Sequence, residues 1–553
     1  MKFVFIIPIL ILFGLQLLLI QPFFHQGFFP THDDIQTIRI FEYYQSFKYG
    51  VLPPRWSSGL LYGYGYPLFV FYGPLTYFLG TIFVFLGFNF LLATKLVFIS
   101  GFFLGALGIF FLIRSFVGSL PAFIASVIYS LIPYRAVDVY VRGDLAEFFS
   151  YSLFPWVFWF NLKLINSRQF LFIPLFGISL TLLILSHNIS TFIYGIFLIA
   201  FNLFYIFMFK KENQLNLIKK LSLSAILAIL ASCFYWLPLL LESQFVQLSK
   251  VVSDPYYRYF LTLNQLWYSP WGYGGFLQAN PMSLQLGQTI IVMSLLTLIL
   301  NTIIKTPVKK IIYFIGATFV ISILFETKIT QFLWDQVIVF HYLQFPWRLH
   351  ILNTICGTIL IGFFFYFLIH LKIYQQKFGK FLFFLVGLFL ILLSFQESYS
   401  FFRAKSFMEA KPMAATTTGE EYLPKWVGFL PNSYSPDKVE FLEGDGKLEN
   451  LEWGYHQKKM TIINQKNTRI RIAHIYYPGW TAYVNNKPVN IRYDNKFAQM
   501  EIEVPRGTNS VVFIFQRTWW RWIADITSVI GLLGILFLTV QNITYRKKME
   551  LSR

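Results

Sequence analysis

The chain has 553 residues, of which 56% are hydrophobic and only 13% are charged, about half the charged share of an ordinary soluble domain. So few charged residues cannot cover a folded chain of this length with polar surface, which excludes a soluble globular protein. The net charge of +19 is also found in nucleic-acid-binding proteins. Here, however, many lysines lie in short loops between apolar stretches, as in cytoplasmic loops of membrane proteins, so we expect no nucleic-acid partner.

The apolar stretches predict a bundle of membrane-crossing helices, because many are near the roughly 20 residues that a helix needs to cross a bilayer. No small-residue cleavage site follows the first stretch, so we expect it to stay as an uncleaved helix. The fold class is therefore mainly α, a polytopic membrane bundle with about 12 crossings. The stretches are 3–20, 67–88, 91–113, 119–134, 148–165, 170–186, 191–209, 221–241, 285–304, 311–325, 350–371, 381–395 and 522–541.

Positive charge in the short loops sets the predicted orientation. Lys210, Lys305 and Lys372, each with lysine neighbours, mark three cytoplasmic loops, and Arg546 with its neighbours marks a cytoplasmic tail. Both termini are then cytoplasmic, and the protein is predicted to reside in the cell (plasma or inner) membrane. Counting crossings back from Lys210 gives the outer loops as residues 21–90, 135–147, 242–284 and 326–349.

Segment 67–88 does not fit a simple count of crossings. If Lys2 lies inside, the first helix ends outside, and residues 88–90 must also be outside because the next segment runs inward. We therefore expect 67–88 to lie in the membrane interface or to re-enter, which Gly73 and Pro74 near its start favour. The alternative is that 67–88 does cross and that the N-terminus is outside.

Near the C-terminus the pattern changes to the alternation of apolar and polar residues that is typical of strands. Examples are Arg469-Ile470-Arg471-Ile472 and Met500-Glu501-Ile502-Glu503-Val504, and Asn485-Asn486 is a hairpin-turn signal. We expect an outer antiparallel β-sandwich without a disulfide, since the two cysteines lie in apolar stretches. The predicted organisation is a transmembrane module over 1–395, a β-rich domain over 396–521, and a final helix with a basic tail over 522–553.

Two adjacent carboxylates, Asp33 and Asp34, follow His32 just beyond the first helix. Such a pair can accept a proton or hold a cation. The alternative is structural, with Thr31 or Asp33 capping the start of an amphipathic helix. Basic residues follow in the same outer loop at Arg39 and Arg55.

The second outer loop contains Arg135, Asp138, Arg142, Asp144 and Glu147. Its arginines can bind phosphate while its acids orient a hydroxyl nucleophile. Because charges at the mouth of a bundle are costly unless paired or hydrated, the alternative is a structural ion pair, either Arg142 with Glu147 or Arg135 with Asp138.

His187 and Arg348 reach the same side of the membrane at the ends of two other segments. For His187 the alternative is an ordinary hydrogen-bonded loop residue, and for Arg348 it is a side chain that snorkels to the interface. Four acidic, basic or histidine clusters thus lie on one face once orientation is fixed independently, which favours a shared functional site.

A family resemblance is carried by motifs of the first two outer loops. The chain resembles bacterial membrane proteins that are named pyruvoyl-tetrahydropterin synthase-related. Pyruvoyl-tetrahydropterin synthase itself is a soluble enzyme, and nothing in this sequence looks like its zinc site. The C-terminal region resembles the YfhO family, and both families are similar to GT-C glycosyltransferases. The motifs are His32-Asp33, Arg39, Pro54-Arg55-Trp56, Gly63-Tyr64-Gly65-Tyr66-Pro67, Pro133-Tyr134-Arg135, Arg142-Gly143 with Glu147, Tyr477-Pro478-Gly479-Trp480 and Val504-Pro505-Arg506-Gly507.

The resemblance implies a GT-C-like bundle that moves a sugar from a polyprenyl-phosphate donor to an extracytoplasmic acceptor, such as an envelope glycan, lipid or protein. It implies that Asp33 is the base and that Glu147 or Asp144 is the second acid. The family pattern has glycine after the first aspartate, where this chain has Asp34, so either aspartate could be the base, or a divalent cation could bind there. The donor phosphate would be bound by basic residues, for which the candidates are Arg55, Arg135, Arg142 and Arg348.

Further candidate site residues are His32, Arg39 and His187, and the sequence specifies no cofactor or metal with certainty. Two other functions stay open. A transporter or flippase of lipid-linked glycans would place ionisable residues near mid-membrane, whereas Lys95 and Glu242 lie near segment ends. A non-catalytic envelope assembly protein could share the same fold.

Overall fold

The structure is a computed structural model, and it describes residues 2–167, 169–209, 214–248, 255–409 and 422–551. Lys210, which contributes to the predicted orientation, lies outside the described residues. The first half of the chain contains, in order, α1 Lys2–Leu19, α2 Gln36–Lys48, α3 Leu68–Phe71, α4 Leu75–Phe85, α5 Phe90–Val117, α6 Ser119–Ser130, α7 Pro133–Val137, α8 Leu145–Asn166, α9 Phe172–Ser186, α10 Asn188–Phe209, α11 Gln214–Ala231 and α12 Cys233–Glu242. The second half adds α13 Leu263–Trp267, α14 Gln288–Ile303, α15 Lys309–Phe325, α16 Gln331–Gln336, α17 His350–His370, α18 Lys377–Ser398 and α19 Trp519–Leu551.

Six of the described helical segments are long and apolar enough to cross a bilayer, or seven if the bent pair formed by Ser119–Ser130 and Pro133–Arg142 is one span. The predicted polytopic membrane protein is thus confirmed, while the number of about 12 crossings stays a prediction. The six segments are Phe90–Val117, Asn188–Phe209, Gln214–Ala231, Pro346–His370, Lys377–Phe401 and Trp519–Thr544.

Helices α5 and α8 pack closely in the centre of the bundle because α5 presents glycines to α8. A Cβ at Gly101 would come within 2.7 Å of the Phe148 ring, and one at Gly108 would come within 2.7 Å of the Trp156 ring. Small residues at such a contact let two membrane helices approach with their backbones. This packing fixes α8, whose N-terminal end carries two of the predicted acids.

Segment 67–88 contains only the short helices α3 and α4. Helix α4 has 11 residues and therefore rises about 16 Å, roughly half of the ~30 Å hydrocarbon core. Helix α4 alone is thus too short to cross the hydrocarbon core, and the interfacial or re-entrant position of segment 67–88 stays a prediction.

The predicted antiparallel strands are confirmed between residues 439 and 515, which we call the β domain. Its two sheets have the strand orders β1-β4-β7 and β2-β3-β8-β5-β6. Asn485 and Asn486, both with positive φ, form the turn between β5 and β6. The strands are β1 Val439–Glu443, β2 Gly446–Trp453, β3 Gln457–Asn464, β4 Thr468–Ile475, β5 Trp480–Val484, β6 Lys487–Val489, β7 Gln499–Val504 and β8 Gly507–Phe515.

The β domain shares its hydrophobic core with the predicted first outer loop, residues 21–90. Trp56 is fully buried among strand residues such as Ile472 and Phe513. Its indole N–H donates to Nε2 of His474 at 3.1 Å, while the other ring nitrogen of His474 bonds the carbonyl of Gly63 at 3.1 Å. The sheets and the loop therefore form one packed unit.

Cysteines introduced singly at Lys48 and Phe88, both exposed positions, should each react with a membrane-impermeant maleimide added from outside. Both sites are expected outside because 67–88 does not cross. The native Cys233 and Cys356 are buried, and a cysteine at exposed Lys372 serves as the cytoplasmic control. Labelling of only one of the two positions would show that 67–88 crosses the membrane.

Replacing Trp56 with alanine should lower the free energy of unfolding by about 3–5 kcal/mol, since it leaves a cavity in a shared core. Limited proteolysis of the β domain in the full-length protein would measure the loss. Trp519→Ala is the matched control, because Trp519 is 68% exposed and its removal should change stability by about 0.5 kcal/mol or less. Equal effects of the two variants would contradict the shared core.

Candidate active site

The predicted first outer loop is attached to the predicted second outer loop by backbone hydrogen bonds at a π-helical turn, Asp138–Arg142. The amide of His32 donates to the carbonyl of Val141 at 2.9 Å, and the amide of Asp33 donates to the carbonyl of Arg142 at 2.8 Å. π-Helical turns occur often at functional sites. This pairing places the two predicted acid-bearing loops side by side.

Gly143 allows this close approach. Its φ is +67°, a left-handed conformation that favours glycine, and a Cβ there would come within 2.3 Å of Thr31 Oγ1. Its carbonyl accepts from Gln36 Nε2 at 3.0 Å. Glycine is thus required here both for backbone conformation and for contact between the loops.

The alternative of a helix cap in the first loop is wrong. Ile35 occupies the N-cap position of α2, and no side chain caps this helix. Asp33 instead lies on the wall of a cavity.

Arg142 is the centre of a buried charge network. It donates to Asp138 Oδ1 at 2.6 Å, to Asp144 Oδ2 at 2.9 Å, and to Glu147. Glu147 also accepts from the hydroxyl of Tyr134 at 2.6 Å. The predicted pairing of Arg142 with Glu147 is confirmed, and breaking such a buried pair from one side typically costs 3–5 kcal/mol.

Asp144 is fixed at the start of α8. It is the N-cap residue, and its Oδ1 accepts from the amide of Glu147 at 3.0 Å. Burial alone would raise the pKa of Asp144, but Arg142, His187 and Arg348 outweigh it and lower this pKa to about 2. Asp144 is therefore an ionised, immobile carboxylate at neutral pH.

Arg348 enters from a 3-10 turn, Pro346–Leu349, and its head is buried rather than snorkelling. Its Nε lies 3.4 Å from Glu147 Oε2, and Nη1 donates to the carbonyl of Leu343 at 3.4 Å. Both contacts are longer than a good charge-assisted hydrogen bond of about 2.8 Å. Arg348 thus retains capacity to bind a ligand.

His187 faces the same group of acids from the loop between α9 and α10. Its Nδ1 lies 2.8 Å from Ser190 Oγ, and burial lowers its pKa, so it is a neutral imidazole at neutral pH. His187 is therefore a hydrogen-bonded loop residue, as the structural alternative predicted, and it also lines the cavity.

Asp33, Arg142, Asp144, His187 and Arg348 line a cavity of about 420 Å³ that has both charged and aromatic lining residues. Acidic, basic and histidine lining residues are His32, Asp33, Arg39, Arg142, Asp144, His187 and Arg348, and the amides Asn188 and Gln344 also line it. Aromatic lining residues are Phe71, Tyr72, Tyr259, Phe276, Phe345, Trp347 and Tyr422. Such a cavity suits a ligand that has both anionic and flat apolar surfaces.

Asp33 differs from Asp144 in its affinity for a proton. Burial raises the pKa of Asp33, and the negative charge of Asp144 raises it further, against the opposing effects of Arg39, Arg142 and Arg348. A carboxyl with a raised pKa accepts a proton more readily than an ordinary aspartate, as a general base requires.

Four predicted site residues do not line this cavity: Asp34, Arg55, Arg135 and Glu147. Of these, Glu147 lies directly behind the lining, where it bonds Arg142. Arg55 pairs with Asp525 of the last helix, at 2.5 Å. Arg135 is fully buried among aromatic rings, with its guanidinium carbon 4.5 Å from the centre of the Tyr129 ring. The predicted pairing of Arg135 with Asp138 is wrong, since Arg142 binds Asp138.

Two members of the charge network were missed as site residues. Asp138 lies four residues before Arg142, a spacing that brings side chains together on a helix and that could have predicted their pairing. Tyr134 lies in the Pro133-Tyr134-Arg135 motif, but no pattern in the sequence indicates that its hydroxyl bonds Glu147. Trp347, whose ring centre is 4.9 Å from the Arg142 guanidinium carbon, also has no signal in the sequence.

The residues present fit a divalent cation. Asp144, Glu147 and His187 each offer one ligand atom, and these atoms lie within 4.8 Å of one another. Ligand atoms at about 2.1 Å from a tetrahedral ion lie about 3.4 Å from one another, so the three side chains would have to move closer together to bind one. A cation there would share both carboxylates with Arg142.

Comparison with known proteins gives a family and several related structures. No curated protein matches the sequence. The arabinofuranosyltransferase AftD from Mycobacteria is 16% identical over 73% of this chain and 27% of that one, with a TM-score of 0.45. The Archaeoglobus fulgidus oligosaccharyltransferase AglB, in complex with an inhibitory peptide and a dolichol-phosphate, is 13% identical over 74% and 57%, with a TM-score of 0.49. This chain thus spans less than two thirds of either protein. A family model described as a 6-pyruvoyl-tetrahydropterin synthase related domain of membrane proteins matches residues 69–370, more than half of the chain, and the protein belongs to this family.

Proposed function

We propose that the protein is a GT-C-like membrane glycosyltransferase, which moves a sugar from a polyprenyl-phosphate donor to a hydroxyl group on an extracytoplasmic acceptor. The observation that carries the proposal is one cavity in which the Asp33 carboxylate lies with Arg39, Arg142 and Arg348. A base and a set of phosphate ligands are the groups that this reaction requires from the protein.

Arg348 is the best candidate to bind the donor phosphate. Arg142 already donates short hydrogen bonds to Asp138 and Asp144, and these would have to break before it could bind a ligand. Within the described part of the chain, the polar contacts of Arg348 to Glu147 and to the carbonyl of Leu343 are both 3.4 Å long. A phosphate oxygen at hydrogen-bond distance would therefore improve its bonding. Arg55 and Arg135 leave the proposed donor-phosphate set because they lie elsewhere.

The cavity is large enough for a sugar phosphate but not for a long lipid chain. The lipid chain of the donor would lie in an apolar groove of about 590 Å³ between α9, α10 and α11. Leu183 and Thr191 of this groove lie about one helical turn from His187 and Asn188 of the cavity. The groove and the cavity thus adjoin at the loop that carries His187.

In the proposed reaction the acceptor oxygen attacks the anomeric carbon while Asp33 takes the proton of its hydroxyl group. The bond from the anomeric carbon to the phosphate oxygen breaks, and the lipid phosphate leaves with the electron pair. Arg348 stabilises its negative charge. A cation at Asp144, Glu147 and His187 would supply further positive charge near the leaving group. Aromatic side chains such as Trp347 would exclude water and pack against the sugar.

Asp33→Asn should reduce sugar transfer by roughly two to four orders of magnitude, because asparagine keeps the size of the side chain but cannot accept the proton. Donor binding should stay near that of the wild type. The measurements are release of polyprenyl phosphate by protein in nanodiscs and mass spectrometry of envelope glycans in cells. Asp34→Asn is the matched control and should retain transfer, since Asp34 lies outside the cavity lining.

Retained transfer in Asp33→Asn would move the role of base to Asp34 or Glu147. Retained transfer after replacement of each of the three acids would exclude the proposed enzyme. If the protein is instead a transporter of lipid-linked glycans, the Asp33→Asn variant should keep its transport rate. This result distinguishes a transporter from the proposed glycosyltransferase.

The rate of transfer should fall on the acidic side of its pH profile, and the midpoint of this fall should lie above 3.8, the ordinary pKa of an aspartate. Burial and Asp144 raise the pKa of Asp33, and a protonated Asp33 cannot act as a base, so the rate should fall as pH decreases through this raised pKa. Arg39→Met should shift the midpoint to still higher pH, because Arg39 lowers the pKa of Asp33. A midpoint at or below 3.8 would exclude Asp33 as the titrating base.

A further inference from the structure

Helix α2 connects the cavity to the β domain along one buried face. Near its start, Arg39 lines the cavity and donates to the hydroxyl of Tyr77 at 3.1 Å. Near its end, Ser46 Oγ lies 3.3 Å from Nε2 of His456 in the β domain. The helix has 13 residues and is therefore about 20 Å long, so it connects the two sites as a rigid element.

Glu42 is a buried carboxyl on this face that the proposed reaction does not use. It is 2% exposed. Its Oε2 accepts from the amide of Gly59 at 3.1 Å and from the hydroxyl of Tyr455 in the β domain. Burial raises the pKa of Glu42 to about 7, against the opposing effects of these two hydrogen bonds and of Lys458. A carboxyl that is costly to bury is thus retained at the contact between the helix and the β domain.

Tyr455 holds α2 from the turn between β2 and β3. Its ring stacks on Tyr49, the residue that directly follows α2, with ring centres 6.0 Å apart and planes 6° apart. Its carbonyl accepts from Ser58 and, at 3.2 Å, from Lys458 Nζ. The tyrosine is fixed by the loop and the sheet together, so its hydroxyl is a rigid donor to the Glu42 carboxylate.

We propose that Glu42 and Tyr455 form a latch by which the β domain positions α2, and with it Asp33 and Arg39, for sugar transfer. The inference rests on the proposed function and makes Glu42 and Tyr455 positioning residues rather than catalytic ones. Asp33 lies three residues before the start of α2. Loss of the bond between Glu42 and Tyr455 removes one of the contacts that fix α2 against the β domain, and small displacements of reacting groups reduce rates strongly.

Three variants separate positioning from general stability. Tyr455→Phe removes only the donor hydroxyl, and Glu42→Ala removes the acceptor. Glu42→Gln should restore the latch, because both donors bind the same carboxylate oxygen and an amide oxygen can replace it. Tyr483→Phe, at a partly exposed tyrosine of β5, is the matched control.

In full-length protein in nanodiscs, Tyr455→Phe and Glu42→Ala should each lower kcat for transfer by roughly tenfold to a hundredfold, with the KM for donor unchanged within about twofold. The double variant should be no slower than the slower single variant, since both remove one latch. Glu42→Gln and Tyr483→Phe should retain wild-type kcat within about threefold. A slow Glu42→Gln would overturn the latch in favour of a direct role for the charge.

Amide hydrogen exchange tests the same latch without any substrate. In Tyr455→Phe, exchange of the peptide covering residues 31–40 should become roughly tenfold faster, as expected from loss of one hydrogen bond to a charged group, and Tyr483→Phe should leave it unchanged. Unchanged exchange of this peptide in Tyr455→Phe would overturn the inference. If the wild type transfers no sugar, the proposed function fails, and the exchange result still decides whether the β domain positions α2.

Discussion

The candidate site depends on the bonding of one arginine to three carboxylates. Asp138, Asp144 and Glu147 all lie buried at one end of the bundle, where isolated negative charges would be unstable. Arg142 binds all three. Because the first outer loop bonds the backbone of this same arginine, the charge network also fixes where Asp33 lies. The position of the proposed base is thus a consequence of how the acids are neutralised.

Topology and hydrophobic patterning predicted much of this arrangement from the sequence. Lysines in short loops placed the clusters on one side before any contact was known, and the spacing of apolar residues distinguished helices from strands. The sequence could not show which arginine faces the cavity. Arg55 and Arg348 both lie in predicted outer loops next to prolines and tryptophans. Trp56 is buried in the core of the β domain, and its neighbour Arg55 therefore lies away from the cavity. Arg348, in contrast, lines the cavity.

The same difficulty explains the incorrect helix-cap alternative for Asp33. An aspartate just before an amphipathic helix usually caps it, and local sequence gives no reason to expect otherwise. Here the amides of His32 and Asp33 bond the π-helical turn of the second loop. The loop therefore enters α2 along a different path, with Ile35 at the N-cap. A contact between residues more than a hundred positions apart overrides the local preference, and only tertiary structure can show it.

In the proposed reaction, Arg142 and Arg348 have two different tasks that one residue could not perform. An arginine that neutralises buried carboxylates must keep its hydrogen bonds, since losing them leaves uncompensated charge. An arginine that binds and releases a phosphate must be able to exchange its partners. Arg142 has short bonds to Asp138 and Asp144, while Arg348 has contacts of 3.4 Å to Glu147 and to a carbonyl. A phosphate bound to Arg348 could thus leave after transfer without disturbing the network that holds Asp33 in place.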